Sequence, residues 1–252
     1  MSVAVIQGAT GGLGLPLTRY ILQNTGLRVV ALTSKTSNRV KDDILSTVDG
    51  GPEKSLLSRL RVVTGVDLLD ERSVERASTE AEVGKDIRLL ACFAGELNPE
   101  KSLAQVDLAK ALHTFQLNTL GHLMLFKHFV PFIPTAREFG KITGKWKEEG
   151  SGDPARGLLG EDTAVCLSLS ARVGSIGDNG KGGWYSYHPG TTLTSFTRPI
   201  IGAKEPDPEH GVFTPPQAID RLVNLLRQAR RGDGDSSYGG HFYDWKAERV
   251  PW

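Results

Sequence analysis

Seven residues near the start of the chain, Gly8-Ala-Thr-Gly-Gly-Leu-Gly14, have the makeup of a main-chain cradle for phosphate. They follow a β-branched run and lead into apolar residues at helical spacing. Glycines at 8, 12 and 14, with Thr10 and Leu13 between them, allow close approach of the backbone to a diphosphate lying at the positive end of that helix. A second signal follows the next apolar run. An acidic side chain there would accept hydrogen bonds from a ribose 2′-hydroxyl, but the chain has Thr33-Ser34-Lys35 with Arg39 nearby. Small hydroxyls and cations suit a 2′-phosphate, so NADP is the expected cofactor and NAD the alternative. Cys92 and Cys166 both lie in apolar runs, which predicts buried free thiols and neither a disulfide nor a metal site.

The elements that must position these residues alternate in kind. Short β-branched runs at 3–6, 29–32, 60–63, 87–93 and 164–169 predict strands, and the spacing predicts helices over 13–24, 52–60, 71–81, 106–129 and 216–230, with a strand-like run at 240–243. This alternation predicts an α/β fold, a Rossmann-type, doubly wound and mostly parallel sheet with ligands at the carboxyl ends of the strands. At 252 residues and 39% hydrophobic composition, one domain over 1–252 is expected. The stretch 141–162, rich in Gly, Lys, Glu and Asp, reads as a solvated surface insertion. The proline-rich stretch 195–215 reads as a connection or a substrate lid.

The spacing Gly-x-x-x-Gly-x-Gly resembles the short-chain dehydrogenase/reductase family, and further matches lie in register along the chain. Asp67-Leu68 after the third strand resembles the family's adenine-side pair. Ala94-Gly95 resembles the end of its Asn-Ala-Gly segment, and Asn118 matches the helix asparagine that holds a water in its proton relay. The segment from Leu167 to Ile176 resembles the end of the family's fifth strand, where a serine orients the substrate carbonyl. Two serines stand side by side there in the family and the second reacts, whereas here Ser170 takes the first place and Ala171 the second. Ser170 is the expected group, with Ser175 as the alternative. Tyr187 matches the tyrosine that gives or takes the proton. The resemblance implies hydride transfer between NADP(H) and a small carbonyl or alcohol, with Pro189, Gly190 and Thr191 at the nicotinamide end.

One departure cuts across that resemblance. The family carries a lysine four residues after the tyrosine, and residue 191 is a threonine. Tyrosine with its usual pKa of about 10 is a poor base at neutral pH unless a cation lowers it. His188-Pro-Gly-Thr-Thr-Leu-Thr194 resembles a Pro-Gly turn that the family places one helix and one strand later, and a parallel crossover needs a dozen or more residues. The expectation is therefore a sheet lacking one helix and one strand after 187, with a nucleotide-binding protein without turnover as the alternative to an enzyme. The absent helix is one that family members use in dimers, so a homo-oligomer is expected only in altered form. Trp184, Tyr185 and Phe196 are candidates to line a substrate pocket. The net charge of +1 gives no footing for nucleic acid or an anionic membrane surface. No apolar run reaches membrane-spanning length, and a soluble, cytoplasmic protein is expected.

Overall fold

The computed structural model describes residues 2–46, 54–98, 100, 102–171, 175, 177, 191–195, 197–198, 202–229 and 241–251. Tyr187, Trp184, Tyr185, Pro189, Gly190 and Phe196 lie outside the described residues.

Runs of Val, Ile, Leu and Ala too apolar for a solvated strand are buried on both faces of a parallel sheet, as such runs must be. The sheet contains β1 (Val3–Gln7), β2 (Arg28–Leu32), β3 (Leu60–Val63), β4 (Ile87–Cys92) and β5 (Val165–Ser168), in the order β3-β2-β1-β4-β5. All four pairings are parallel, with Val5 opposite Val30 on one side and Leu90 on the other. This is the Rossmann-type doubly wound arrangement. The chain reverses direction of winding at β1, so the crevice between the ends of β1 and β4 is the switch point where such sheets bind ligands.

Alternation along the strands sends two sets of side chains to two cores. On one face Ala4, Ile6, Val29, Ala31, Leu89 and Ala91 meet Leu17, Ile21 and Leu22 of α1 (Gly14–Asn24). The smaller helices α2 (Val40–Leu45) and α3 (Lys54–Arg59) border that core. On the other face Val3, Val5, Val30, Leu32, Leu90 and Cys92 meet α4 (Glu71–Glu80) and the far end of a long helix. That helix runs as α5 (Leu108–Phe115), a π-helical turn (Gln116–Gly121) and α6 (His122–Phe129). Asp70 and Asp107 cap α4 and α5 by accepting from Arg72 N and Lys110 N.

The expectation of a solvated insertion at 141–162 is corrected. Its first part belongs to α7 (Ala136–Glu149), and further on Ala155, Leu158 and Leu159 are buried in the core beside α1. The cause sits on β4. Arg88, 1% exposed, donates to Asp153 Oδ1 at 2.8 Å, Gly160 O at 2.6 Å and Thr163 O at 2.8 Å, while its guanidinium lies over the rings of Phe139 and Trp146. A buried cation satisfied on all sides folds the polar stretch down onto the sheet. Low apolar periodicity did not reveal it, because the anchor is one arginine in a distant strand.

The later elements also depart from expectation. The short β6 (Thr191–Thr192) pairs in parallel with β7 (Val212–Phe213), and β8 (Phe242–Tyr243) pairs antiparallel with β9 (Arg249–Val250) rather than with β5. Between them α8 (Pro215–Gln228) starts with a Thr214/Gln217 capping box and prolines at its first turn, and Ile219, Val223 and Leu226 pack into the α1 core. Cys92 is buried as expected. Cys166 is exposed, a correction that follows from β5 showing only Val165 and Leu167 to the core.

Candidate active site

The glycine loop closes the gap between β1 and α1. Gly8 has φ +77°, a conformation that costs little only for glycine, and a Cβ there would lie 3.2 Å from Ala94 N. Gly8 N and Ala9 N donate to Leu32 O, Gly11 N donates to Gly8 O, and a Cβ on Gly14 would fall 2.1 Å from Gly8 O. The turn is thus too tight for side chains. Helix α1 has no side-chain cap, and the amides of Gly12, Leu13 and Gly14 have no acceptor among the described residues. Three open donors at the start of an 11-residue helix form a site for anionic oxygen.

Two neighbours close on this loop. From one side Phe93 and Ala94 bring the end of β4 against Gly8. From the other, a Cβ on Gly12 would lie 2.4 Å from Thr194 Cγ2, so Thr194 rests directly on the loop. Thr194 is fixed by its own turn: its N–H donates to Thr197 Oγ1 at 3.0 Å, and its carbonyl accepts from Arg198 N. The sequence reading stopped at Thr191, whose backbone begins β6. The run of threonines after the Pro-Gly pair was the signal that could have extended it to 194.

On the adenosine side, Thr33 is buried and its hydroxyl hydrogen-bonds Thr10 Oγ1 at 3.0 Å while accepting from Lys35 N at 3.2 Å. Gly65 N donates to Lys35 O and Val66 N to Thr33 O, which ties the loops after β2 and β3 together. Ser34, Lys35 and Arg39 are exposed, and neither cation has an ion-pair partner among the described residues. Asp67 is exposed, its carboxylate accepting from Leu69 N in a local turn, whereas Leu68 is buried beneath Gly121.

Beyond the end of β4, Asn118 occupies the π-helical turn. Its Oδ1 accepts from Glu96 N at 2.9 Å and its Nδ2 donates to Glu96 O at 2.8 Å. Both ends of the amide are therefore engaged by the backbone of one residue, and the asparagine clips the strand end carrying Ala94 and Gly95 to the long helix. Hydrogen bonds from His113 and Thr114 hold the Glu96 carboxyl below the usual carboxylate range. Ser170 lies two residues beyond β5, exposed and with no side-chain hydrogen bond among the described residues. Ser175 is buried and donates to Pro251 O, a structural bond. His122 and Ser168, which the sequence reading did not single out, hydrogen-bond each other beside the β4 end. Among the described residues there is no cluster of metal-ligating side chains, and no helix is long and apolar enough to cross a membrane.

No family model matches the chain. A curated protein of Rhodococcus sp. strain AD45, 1-hydroxy-2-glutathionyl-2-methyl-3-butene dehydrogenase, is 22% identical, covering 90% of this chain and 91% of its own. The solved NADPH-bound carbonyl reductase from chicken fatty liver superposes with a TM-score of 0.67 at 19% identity, covering 100% of this chain and 98% of its own. The carbonyl reductase Sniffer of D. melanogaster gives 0.65 at 19% identity, with 100% and 99% coverage. The likeness is one of fold along the whole chain: the β-α order around a switch-point crevice is shared with these carbonyl reductases.

Proposed function

We propose that this chain binds NADP(H) and transfers hydride between it and a small carbonyl or alcohol substrate, as a cytoplasmic oxidoreductase of short-chain dehydrogenase/reductase type. The observation that carries this reading is the set of three amides at Gly12, Leu13 and Gly14 without an acceptor among the described residues, in a loop bordered by Phe93-Ala94 on one side and Thr194 on the other. Such a cradle fits a dinucleotide diphosphate at the switch point of this sheet. When bound, the nicotinamide supplies the hydride. The chain's part is to hold the diphosphate at the loop, to receive a 2′-phosphate at Ser34, Lys35 and Arg39, and to place the adenine beside Asp67 and Leu68. Ser170 then orients the carbonyl oxygen and Tyr187 delivers the proton. Asn118 acts as a positioning residue through its clip on Glu96, and Pro189, Gly190 and Thr191 lead into the Thr194 contact.

A second reading, nucleotide binding without turnover, has one specific support. Residue 191 stands in β6, paired with Val212, so the place four residues after Tyr187 belongs to a strand and carries threonine. A strand at 191 is in keeping with the expectation that a helix and a strand are missing after 187. A tyrosine with its usual pKa of about 10 and no neighbouring cation releases a proton poorly at neutral pH.

Titration of purified protein with NADPH, followed by nicotinamide fluorescence, tests the shared premise. We expect saturable enhancement, weaker by about tenfold or more in Lys35→Ala with little change for NADH, the loss of one charge-assisted contact of about 1.5–3 kcal/mol. Absence of NADPH binding would sink both readings. A carbonyl panel then separates them: NADPH oxidation abolished by Tyr187→Phe supports the enzyme, and binding without oxidation supports the non-catalytic reading.

A further inference from the structure

The imidazole of His122 joins three elements. It is 5% exposed, with Nε2 at 2.8 Å from Ala94 O and Nδ1 at 2.7 Å from Ser168 Oγ. A carbonyl oxygen can only accept, so Nε2 carries the proton and, in the neutral ring, Nδ1 presents its lone pair to Ser168. The serine hydroxyl donates to that lone pair. A hydroxyl bonded to an imidazole whose tautomer is fixed by a third group is the arrangement by which serine is activated as a nucleophile.

The serine is reachable. Ser168 is exposed although its base is buried, because it lies on β5, the last strand of the sheet among the described residues. The backbone adds a donor. Leu169 N bonds to Cys92 O, and in a parallel ladder alternate residues face the neighbour, so the amide of Ser168 turns away from β4. Among the described residues no charged group hydrogen-bonds to Ser168 or His122, and the residues following them, Leu169 and Leu123, are exposed apolar side chains.

We propose that Ser168 and His122 form a nucleophile–base pair that reacts with uncharged carboxylic esters bearing apolar acyl groups, a site separate from the glycine loop. Ser168 Oγ forms a bond to the acyl carbon as its proton passes to His122 Nδ1. The bond to the alcohol oxygen breaks, and the departing alkoxide takes that proton. Water, giving a proton to Nδ1, attacks the acyl-serine; the carboxylic acid leaves and Oγ recovers its proton. No redox partner is involved, so the pair can be present whether or not the chain oxidises NADPH.

An alkyl fluorophosphonate tests this directly, since attack by Oγ forms a phosphorus–oxygen bond and expels fluoride. Ser168 and Ser170 fall in one tryptic peptide, 157–172, and Ser170 is an exposed serine with no imidazole partner among the described residues. Mass spectrometry of the labelled protein should find the adduct on Ser168 at least about a hundredfold faster than on Ser170, the usual scale of general-base assistance. Ser168→Ala should remove it, and His122→Gln, checked for folding by circular dichroism, should slow it by a similar factor. Equal labelling of the two serines, or none at Ser168 in the unaltered protein, overturns the proposal whatever the variants do. NADPH fluorescence on the same sample reports on the oxidoreductase reading independently.

Discussion

β1 and β5 stand on either side of β4 in one sheet and are treated very differently by the fold. All five residues of β1 are buried, whereas β5 alternates between half-buried and exposed. The glycine loop hangs from the first and Ser170 follows the second. The end of β1 is therefore held from both faces and both sides, with Thr194 and Ala94 closing on the glycine loop, while the end of β5 belongs to a strand that the described residues cover on one edge only. Chemistry that needs a fixed cradle is well supported here. Chemistry that needs a fixed acid beside the nicotinamide depends on residues beyond β5.

The largest test of this contrast lies in Arg88, which ties the segment leading into β5 to the well-buried strand β4. Arg88→Ala should cost about 3–5 kcal/mol, because it leaves the Asp153 carboxylate without its cation and the carbonyl of Thr163 without its arginine donor in the interior. Urea unfolding measures it. A loss below about 1 kcal/mol would mean that the anchor is dispensable and that β5 is held by something else. Gly8→Ala comes next, at about 1–2 kcal/mol for a Cβ at positive φ, and it should weaken NADPH binding as the loop shifts against Ala94. Unchanged stability and affinity would show that the cradle is looser than its contacts imply.

A smaller effect comes from Cys92, at the carboxyl end of β4. Burial pushes its thiol up to about 12, against about 8.5 for an open thiol. Below about pH 8.5 both states keep the proton and the stability is whole. Above it the unfolded chain ionises while the folded one does not, so stability falls as pH rises, by about 1.4 kcal/mol per unit towards about 12. Between pH 8 and 9.5 the unaltered protein should lose about 1 kcal/mol more than Cys92→Ala. Equal slopes would place Cys92 in contact with water and β4 closer in character to β5.

The two regions were also unequally legible in the sequence. The strands up to 92, the helix over 13–24 and the glycine loop could be read because periodicity and turn chemistry are local properties, and Gly8 declares its conformation by being glycine. Boundaries moved little: the expected strand at 3–6 is Val3–Gln7, and the expected helix at 216–230 is Pro215–Gln228. What could not be read depends on distant partners. Arg88 is one charge within an apolar run, and nothing local to it shows that it folds down a segment more than sixty residues later. Asn118 was legible as a position, but its clip on Glu96 requires knowing that a π-helical turn faces the end of β4. His122 gave no signal at all, since Ala94 O and Ser168 meet it only once strands and helix are packed.

The last test concerns the long helix, whose two ends repeat the contrast between the strands. Phe129 is completely buried among Val3, Val5 and Leu125, whereas Phe115, on the other side of the π-helical turn, is 61% exposed, as are Leu108 at 72% and Leu112 at 55%. An aromatic ring that stays in water in the folded chain adds almost nothing to folding, so Phe115→Ser should change the unfolding free energy by less than about 0.5 kcal/mol. The same substitution at Phe129 would belong with Arg88 in size. If Phe115→Ser instead costs about 1 kcal/mol or more, the cause is distinguishable by dilution. A loss that grows with protein concentration means that copies of the chain cover this face, because association stabilises only the folded form. A loss independent of concentration means that the chain's own residues beyond β5 fold over it, and the substrate end is then enclosed as firmly as the cradle.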